Sequence, residues 1–450
     1  MRRVSTVILT RERSKHDFDL LMSLCHNSKN LYNASLYVVK QAFRGTPENI
    51  PEYADIIVND RFVREFDLTT RMAALGQSDY RSLKAQCAQQ VVKKMCGNVK
   101  AYFKALKEWK KNSGKFVGKP RFPKYRPKSG CDELTYTNQS CTFDRKTGVL
   151  KLGKDGVIES VILPAGISDF QQVRIVPREG FIQVEIVYNK EDTKEKAKGN
   201  KSIGIDLGVS NLATVTSDGM DICPIVINGR NVKSINQFYN KRVAELKTLY
   251  SKQNIYTSNK IKRLGLKRKC RIDDYFHKAT TWLVRWCLAN RVGKVCIGRN
   301  KGWKQKTDMG RRNNQNFVQI PFWKFIRMLK YKCDAVGIEL AEVEEAYTSK
   351  CSALDREEVC KHDEYAGRRV RRGLFRTADN RLVNADVNGS LNILRLGLGR
   401  DFDVGDKVFN PIKVNEFRDA DLGRPADRGQ VACPVRSHER TNVSEERLTA

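Results

Sequence analysis

The sequence predicts an α/β domain in the second half of the chain, preceded by a β-barrel that a helical insertion interrupts. Three observations carry this. A glycine-flanked hydrophobic run, Ile203-Gly204-Ile205-Asp206-Leu207-Gly208-Val209, turns back at once into Leu212-Ala213-Thr214-Val215-Thr216. Downstream of it, strand-like and helix-like patterns alternate as far as residue 396. Upstream, short β-rich runs follow a long stretch of helical periodicity.

Taken in order, Arg3 to Thr10 alternates like a strand. Residues 11–114 are helix-rich, with apolar periodicity around Leu20-Leu21-Met22, around Leu31-Tyr32 and Leu36-Tyr37, and from Ser82 to Trp109. The segment 114–127, with Lys119-Pro120-Arg121-Phe122-Pro123-Lys124-Tyr125-Arg126, reads as an extended basic arm because its prolines disfavour helix. Residues 115–195 are assigned to a barrel that the first strand (1–10) joins, and Asp192 to Lys201 is a charged linker. Residues 200–400 form the α/β domain. Its strands are placed at 202–208, 211–217, 223–228, 294–298 and 338–345, and its helices at 229–252, 268–291, 321–336 and 385–396. Three successive strands followed by strand–helix–strand–helix is the order of an RNase H-like sheet, here with a loop-rich insertion at 347–384. Residues 401–450 are polar and mixed in charge and read as a peripheral tail.

At 450 residues the chain has room for two to four cores. Its 83 Lys and Arg against 51 Asp and Glu leave a net charge of +32, which makes a polyanion the expected ligand. No apolar run approaches the length of a membrane span, and the N-terminus lacks a signal-peptide core, so membrane partners are not expected. Thirteen cysteines without a CxxC pair read as reduced thiols, Cys287 and Cys296 among them as core residues.

In a chain this basic, two acidic residues stand out. Asp206 sits on the first apolar strand, and Asp386 opens a helix in Asn384-Ala385-Asp386-Val387-Asn388-Gly389-Ser390-Leu391-Asn392. Paired carboxylates on such a chain point to a divalent-metal site acting on phosphodiesters. A basic cluster, Lys260, Lys262, Arg263, Lys267, Arg268, Lys269 and Arg271, has no stability rationale and is assigned to phosphate contact. Lys119, Arg121, Phe122, Lys124, Tyr125 and Arg126 of the arm interleave cations with rings, the pattern of phosphate clamping plus base stacking. Arg368, Arg369, Arg371 and Arg372 form a basic hairpin suited to line an entry for single-stranded DNA.

The motifs Gly204-Ile205-Asp206-Leu207-Gly208, Asp274-Tyr275-Phe276-His277-Lys278, Asn313 to Pro321, Tyr347-Thr348-Ser349-Lys350 and Asn384-Ala385-Asp386-Val387-Asn388-Gly389 occur in the order of a known family. Over residues 200–396 the chain resembles TnpB, the transposon-associated RNA-guided DNA nuclease related to type V CRISPR effectors and to Fanzor proteins. The resemblance implies a RuvC-like nuclease domain, an N-terminal wedge barrel and a helical recognition domain. It also implies two Mg²⁺ ions, a guide RNA (transposon-encoded or a CRISPR RNA) and target double-stranded DNA recognised beside a short motif. A cytoplasmic prokaryotic protein, on the nucleoid when bound to DNA, is the expected setting.

The family's metal site holds three carboxylates, and its middle glutamate usually ends the fourth strand. Here that strand ends in Gly298-Arg299-Asn300. The replacement is sought at the end of the neighbouring strand, in Glu344 or Glu345, of which alternation along the strand turns one inward. Fanzor-like relatives resemble this chain in carrying a glutamate three residues before Thr-Ser-Lys, which selects Glu345, with Glu344 as runner-up. Many relatives also carry a four-cysteine zinc ribbon. This chain has only Cys351, Cys360 and His362 in that interval, so zinc is not expected. The missing middle glutamate leaves a nuclease-dead RNA-guided repressor as the main alternative to a nuclease. A CRISPR-associated effector of the same lineage and a DNA-joining transposase are further options.

Overall fold

The computed structural model describes residues 2–153, 155–159, 161, 163, 170–189, 199–299 and 310–418. Most of the linker after residue 189 and the tail beyond residue 418 lie outside the described residues. The chain divides into two compact units, residues 1–191 with 246–267, and residues 192–245 with 268–450.

In the first unit, β1 (Arg2–Leu9) leads into α1 (Lys15–Arg44), capped by the Ser14 hydroxyl at one end and by left-handed Gly45 at the other. A small hairpin, β2 (Ile57–Val58) and β3 (Phe62–Val63), precedes α2 (Glu65–Ala74), α3 (Ser78–Arg81) and α4 (Ala85–Lys111). The strands β4 (Leu134–Thr137), β5 (Thr142–Asp144), β6 (Val149–Lys151), β7 (Val157–Ile158), β8 (Phe170–Arg178) and β9 (Phe181–Asn189) follow. They form sheets of order β1-β9-β8-β4 and β5-β6-β7. β1 pairs antiparallel with β9 across the whole helical insertion, from Arg2 opposite Asn189 to Leu9 opposite Ile182. One core joins Leu31 and Leu36 of α1, Val92 and Met95 of α4, and Ile175 and Val184 of the sheet.

The second unit is built on β10 (Lys201–Leu207), β11 (Asn211–Ser217) and β12 (Ile225–Asn228). The helices α5 (Arg230–Ser251) and α6 (Asn259–Ala289) follow. Then come β13 (Val292–Gly298), α7 (Arg311–Val318), α8 (Phe322–Ala335), β14 (Glu339–Val343), a three-stranded sheet of β15 (Arg368–Arg371), β16 (Leu374–Arg376) and β17 (Leu382–Asn384), α9 (Ala385–Leu398) and β18 (Ile412–Val414). The main sheet runs β14-β13-β10-β11-β12-β18. β11 is antiparallel to both of its neighbours, β10 and β12, while β13 joins parallel to β10 and β14 parallel to β13, as the order of elements in the sequence predicts.

Two differences from the sequence reading stand out. Part of the supposed tail is structural: β18 pairs in parallel with β12, and Phe417 packs on Tyr275, 5.3 Å between ring centres. Its short apolar pattern is too weak to be told from a polar tail by periodicity alone. In the insertion 347–384 the expected basic hairpin, β15 with β16, is joined by a third strand, β17, too short at three residues to be read by periodicity and fixed by its pairing with β16.

Strand alternation sorts the main sheet into two faces. Ile203, Ile205, Val295 and Ile297 share a core with Phe276 and Leu283 of α6 and Phe325 and Leu329 of α8. The opposite face receives α9. There Ser390 Oγ donates to the Gly204 carbonyl (2.9 Å) and lies 3.0 Å from Thr216 Oγ1. Gly204 permits this approach: a β-carbon there would run into the Ser390 carbonyl and stand 2.8 Å from Leu394 Cβ.

Candidate active site

Asp206, on the face of β10 that α9 covers, stands one residue before the end of that strand. Gly389, in the first turns of α9, lies over it, since a methyl on that glycine would stand 3.3 Å from Asp206 Oδ2. Asp386 is held in the first turn of α9 by the helix cap. Asn384 Oδ1 accepts from the backbone N–H of Asp386 (2.9 Å) and of Val387 (3.3 Å), and the carboxylate complements the positive end of the helix.

Glu345 follows β14 and has the same strand parity as Val343, which packs against α9 residues. Glu344 points the other way and is exposed. Gly298, hydrogen-bonded beside Val343, explains where the Glu345 carboxylate goes. A β-carbon at 298 would stand 2.5 Å from Glu345 Oε2 and 2.6 Å from Ile393 Cδ1, so this buried oxygen occupies the space beside the end of β13. A side chain that follows the next strand fills the room that a side chain at 298 would take.

The three carboxylates share one electrostatic field. Burial, then the charges of Glu345 and Asp386, push the Asp206 carboxyl well above the ordinary carboxylate range, against smaller relief from the Leu207 N–H and from Arg369. Arg369 of β15 brings Nη2 to 4.0 Å from Asp386 Oδ1, and Arg372 Nη2 donates to Ser210 Oγ at 3.3 Å. The basic hairpin therefore borders the acidic site. Asn211, at the start of β11, donates to Asp386 Oδ2 at 2.7 Å. The sequence reading missed it, although the tight turn from β10 to β11 was a usable signal.

Hard oxygen donors crowded into one field have the chemistry of a Mg²⁺ site. Among the described residues, no three Asp, Glu, His or Cys side chains are spaced closely enough to hold an ion as they stand. The donor set fits divalent magnesium in kind, and Asp206, Glu345 and Asp386 are the residues that would hold it. Near the would-be zinc interval, Cys351 Sγ donates to the Cys360 carbonyl and Cys360 Sγ lies 3.3 Å from His362 Nε2. Desolvation raises both thiols.

The assigned nucleic-acid residues divide in two. Phe122 belongs to an interior aromatic cluster, stacked on Phe43 (5.4 Å) and edge-on to Tyr102 (5.1 Å). Arg126 binds Asp132 (3.2 Å) and lies over the Tyr32 ring. Arg268 donates to Asn236 Oδ1 (2.6 Å) and the Gln319 carbonyl (2.9 Å), and Lys269 pairs with Asp273 (3.0 Å). Arg263 pairs with Glu12, and the stem of Lys262 packs on Gly180. Phe122, Arg126 and Arg268 are half-buried and also make these contacts within the fold. Lys119, Arg121, Lys124, Tyr125, Lys260, Lys267, Arg271, Arg368, Arg371 and Arg372 are exposed.

Comparison with known proteins places the chain in a lineage. Residues 185–304 match the OrfB_IS605 family, described as a probable transposase, and residues 322–393 match the Cas12f1-like TNB domain. The TnpB-like protein ORF457 of Acidianus two-tailed virus is 26% identical over 215 residues, covering 45% of this chain and 43% of that protein, so the match spans less than half of that relative. The cryo-EM structure of the Cas12f1–sgRNA–target DNA complex is similar at a TM-score of 0.48 and 14% identity over 85% of this chain and 84% of that one. That of CasPhi-2 bound to crRNA and phosphorothioate DNA is similar at 0.45 and 9%, over 88% and 91%. Two family models thus match in sequence order across the sheet and the helix that carry Asp206 and Asp386, and the chain is similar to a TnpB-like viral protein.

Proposed function

We propose that this protein is an RNA-guided DNA endonuclease whose active site is Asp206, Glu345 and Asp386. The observation that carries the reading is the placement of the half-buried Asp206 carboxyl beneath Gly389 of α9, where desolvation and the charges of Glu345 and Asp386 raise it, in a chain of net charge +32. Carboxylates placed so that their charges oppose one another are unfavourable unless a cation joins them. Two magnesium ions held there would supply an activated water and stabilise the leaving oxygen. Asn211 orients Asp386, and the arginines of β15 offer charge to the DNA strand at the rim of the site. The exposed cations of the arm and of α6 suit contact with guide RNA and target backbone, with base pairing reading the sequence and a short motif beside the target starting the unwinding.

Two observations favour a second reading, a nuclease-dead RNA-guided DNA-binding protein: among the described residues the carboxylates are not gathered at ligating distance, and glycine stands at the end of β13. One experiment separates the two. The protein is purified with its bound RNA, the RNA is sequenced, and DNA matched to it is added with Mg²⁺. Cleavage that needs both the match and the metal is expected; matched binding without any cut establishes the second reading.

A further inference from the structure

Glu345 and Asp386 arrive from different stretches, yet a buried polar network joins the turn that carries one to the helix that carries the other. Thr348 donates to the Glu345 carbonyl through its N–H (3.4 Å) and its Oγ1 (2.9 Å). Asn392 Nδ2 donates to the carbonyls of Thr348 (2.9 Å) and Cys351 (2.8 Å). Asn388 Nδ2 donates to the Cys351 carbonyl (2.8 Å), while its Oδ1 accepts from the Ala353 N–H (2.9 Å). Arg395 Nη1 donates to Asn392 Oδ1 at 2.9 Å, fixing that amide's orientation.

Both asparagines are fully buried and stand one turn apart on α9, two and six residues after Asp386. Asparagine is a poor helix former, and a buried amide is costly without partners. The helix interior therefore gains nothing from them by itself. What they hold is a turn that its own sequence does not favour: Tyr347 has φ +64°, a left-handed conformation costing about 1–2 kcal/mol for a side chain of this kind.

We infer that Asn392, with Asn388 and Thr348, positions Glu345 against Asp386, so that this network sets the metal-binding geometry of the relocated glutamate. The inference rests on the three carboxylates being a metal site, as proposed above. None of the three residues touches the reacting atoms; they act through the backbone of the turn.

The test is Mn²⁺ binding to the full-length protein as purified, read from free Mn²⁺ by electron paramagnetic resonance, with thermal melting in parallel. The triple variant D206N/E345Q/D386N supplies the background to subtract. Asn392→Ala and Thr348→Val are expected to weaken specific Mn²⁺ binding about 10–100-fold, the usual effect of removing a group that orients a ligand. Thr348→Ser keeps the hydroxyl and is expected to bind like wild type. The near-isosteric Thr348→Val keeps the test decisive if Asn392→Ala does not fold. If both variants bind Mn²⁺ as wild type does, even with lowered melting, the network is merely structural and the inference is wrong. If the triple variant binds as much Mn²⁺ as wild type, the carboxylate site itself is wrong.

Discussion

The acidic edge of the main sheet and the basic arm at 119–126 were both picked out in the sequence as functional, and they fare differently in three dimensions. At the sheet edge the chosen acids converge: Asp206 feels both Glu345 and Asp386, and Gly298 leaves room for the glutamate. In the arm the chosen residues separate. Lys119, Arg121, Lys124 and Tyr125 stay at the surface, while Phe122 and Arg126 turn inward to an aromatic cluster and to Asp132. Asp206 and Asp386 were selected by position on a strand and at a helix start, which the backbone obeys, and Glu345 by resemblance. The arm was selected by composition, and composition does not distinguish an anchor from a contact, because arginine stems and aromatic rings serve both.

The largest test of the contrast is removal of the acids. Asp206→Asn, Glu345→Gln or Asp386→Asn should each lower matched-DNA cleavage by about 10²–10³-fold or more, the scale of losing one preorganised electrostatic contact, while Glu344→Gln should cleave like wild type. Equal losses at 344 and 345 would undo the assignment by strand parity.

Next is relocation. Glu345→Ala combined with Gly298→Glu returns a glutamate to the end of β13, the new side chain having lost one of its two obstructions, Glu345 Oε2, and needing Ile393 Cδ1 to shift. Partial recovery of cleavage over Glu345→Ala is the expected result. Gly298→Ala alone, with Glu345 kept, should push that carboxylate aside and destabilise by about 1–3 kcal/mol, the cost of overpacking; denaturant melts and a raised Mg²⁺ requirement report it.

Within the arm, Phe122→Ala should cost about 1–3 kcal/mol of stability, below the loss for a fully buried ring, whereas Arg121→Ala and Lys124→Ala should leave melting unchanged. Each of the latter two should instead lower the salt slope of nucleic-acid binding by about 1. The reverse pattern would mean that the inward and outward roles are exchanged.

The smallest effect is on pH. Without metal, the raised Asp206 carboxyl binds its proton more tightly in the folded than in the unfolded state. Its contribution is therefore full below the ordinary carboxylate range and lost as pH rises through the raised value. Melting of the metal-free protein should fall with pH across that window, Asp206→Asn should abolish the fall, and Mg²⁺, which favours the ionised form, should flatten it.

The residues themselves determined the αβ succession after residue 200, the carboxylates Asp206 and Asp386 and the lineage, because strand alternation, glycine-flanked turns and a helix cap are local properties that a one-dimensional pattern carries. Glu345 was legible only by resemblance. Its selection over Glu344 in space required the parity of β14 against α9 and the gap at Gly298, which depend on which strand lies beside which. The roles of Asn211, Asn388, Asn392 and Thr348, the inward turn of Phe122, Arg126 and Arg268, and the pairing of β18 were decided by tertiary structure alone. Each is a contact between residues distant in the chain or a choice among partners, and hydrogen bonds and burial select among such options only once the chain has folded.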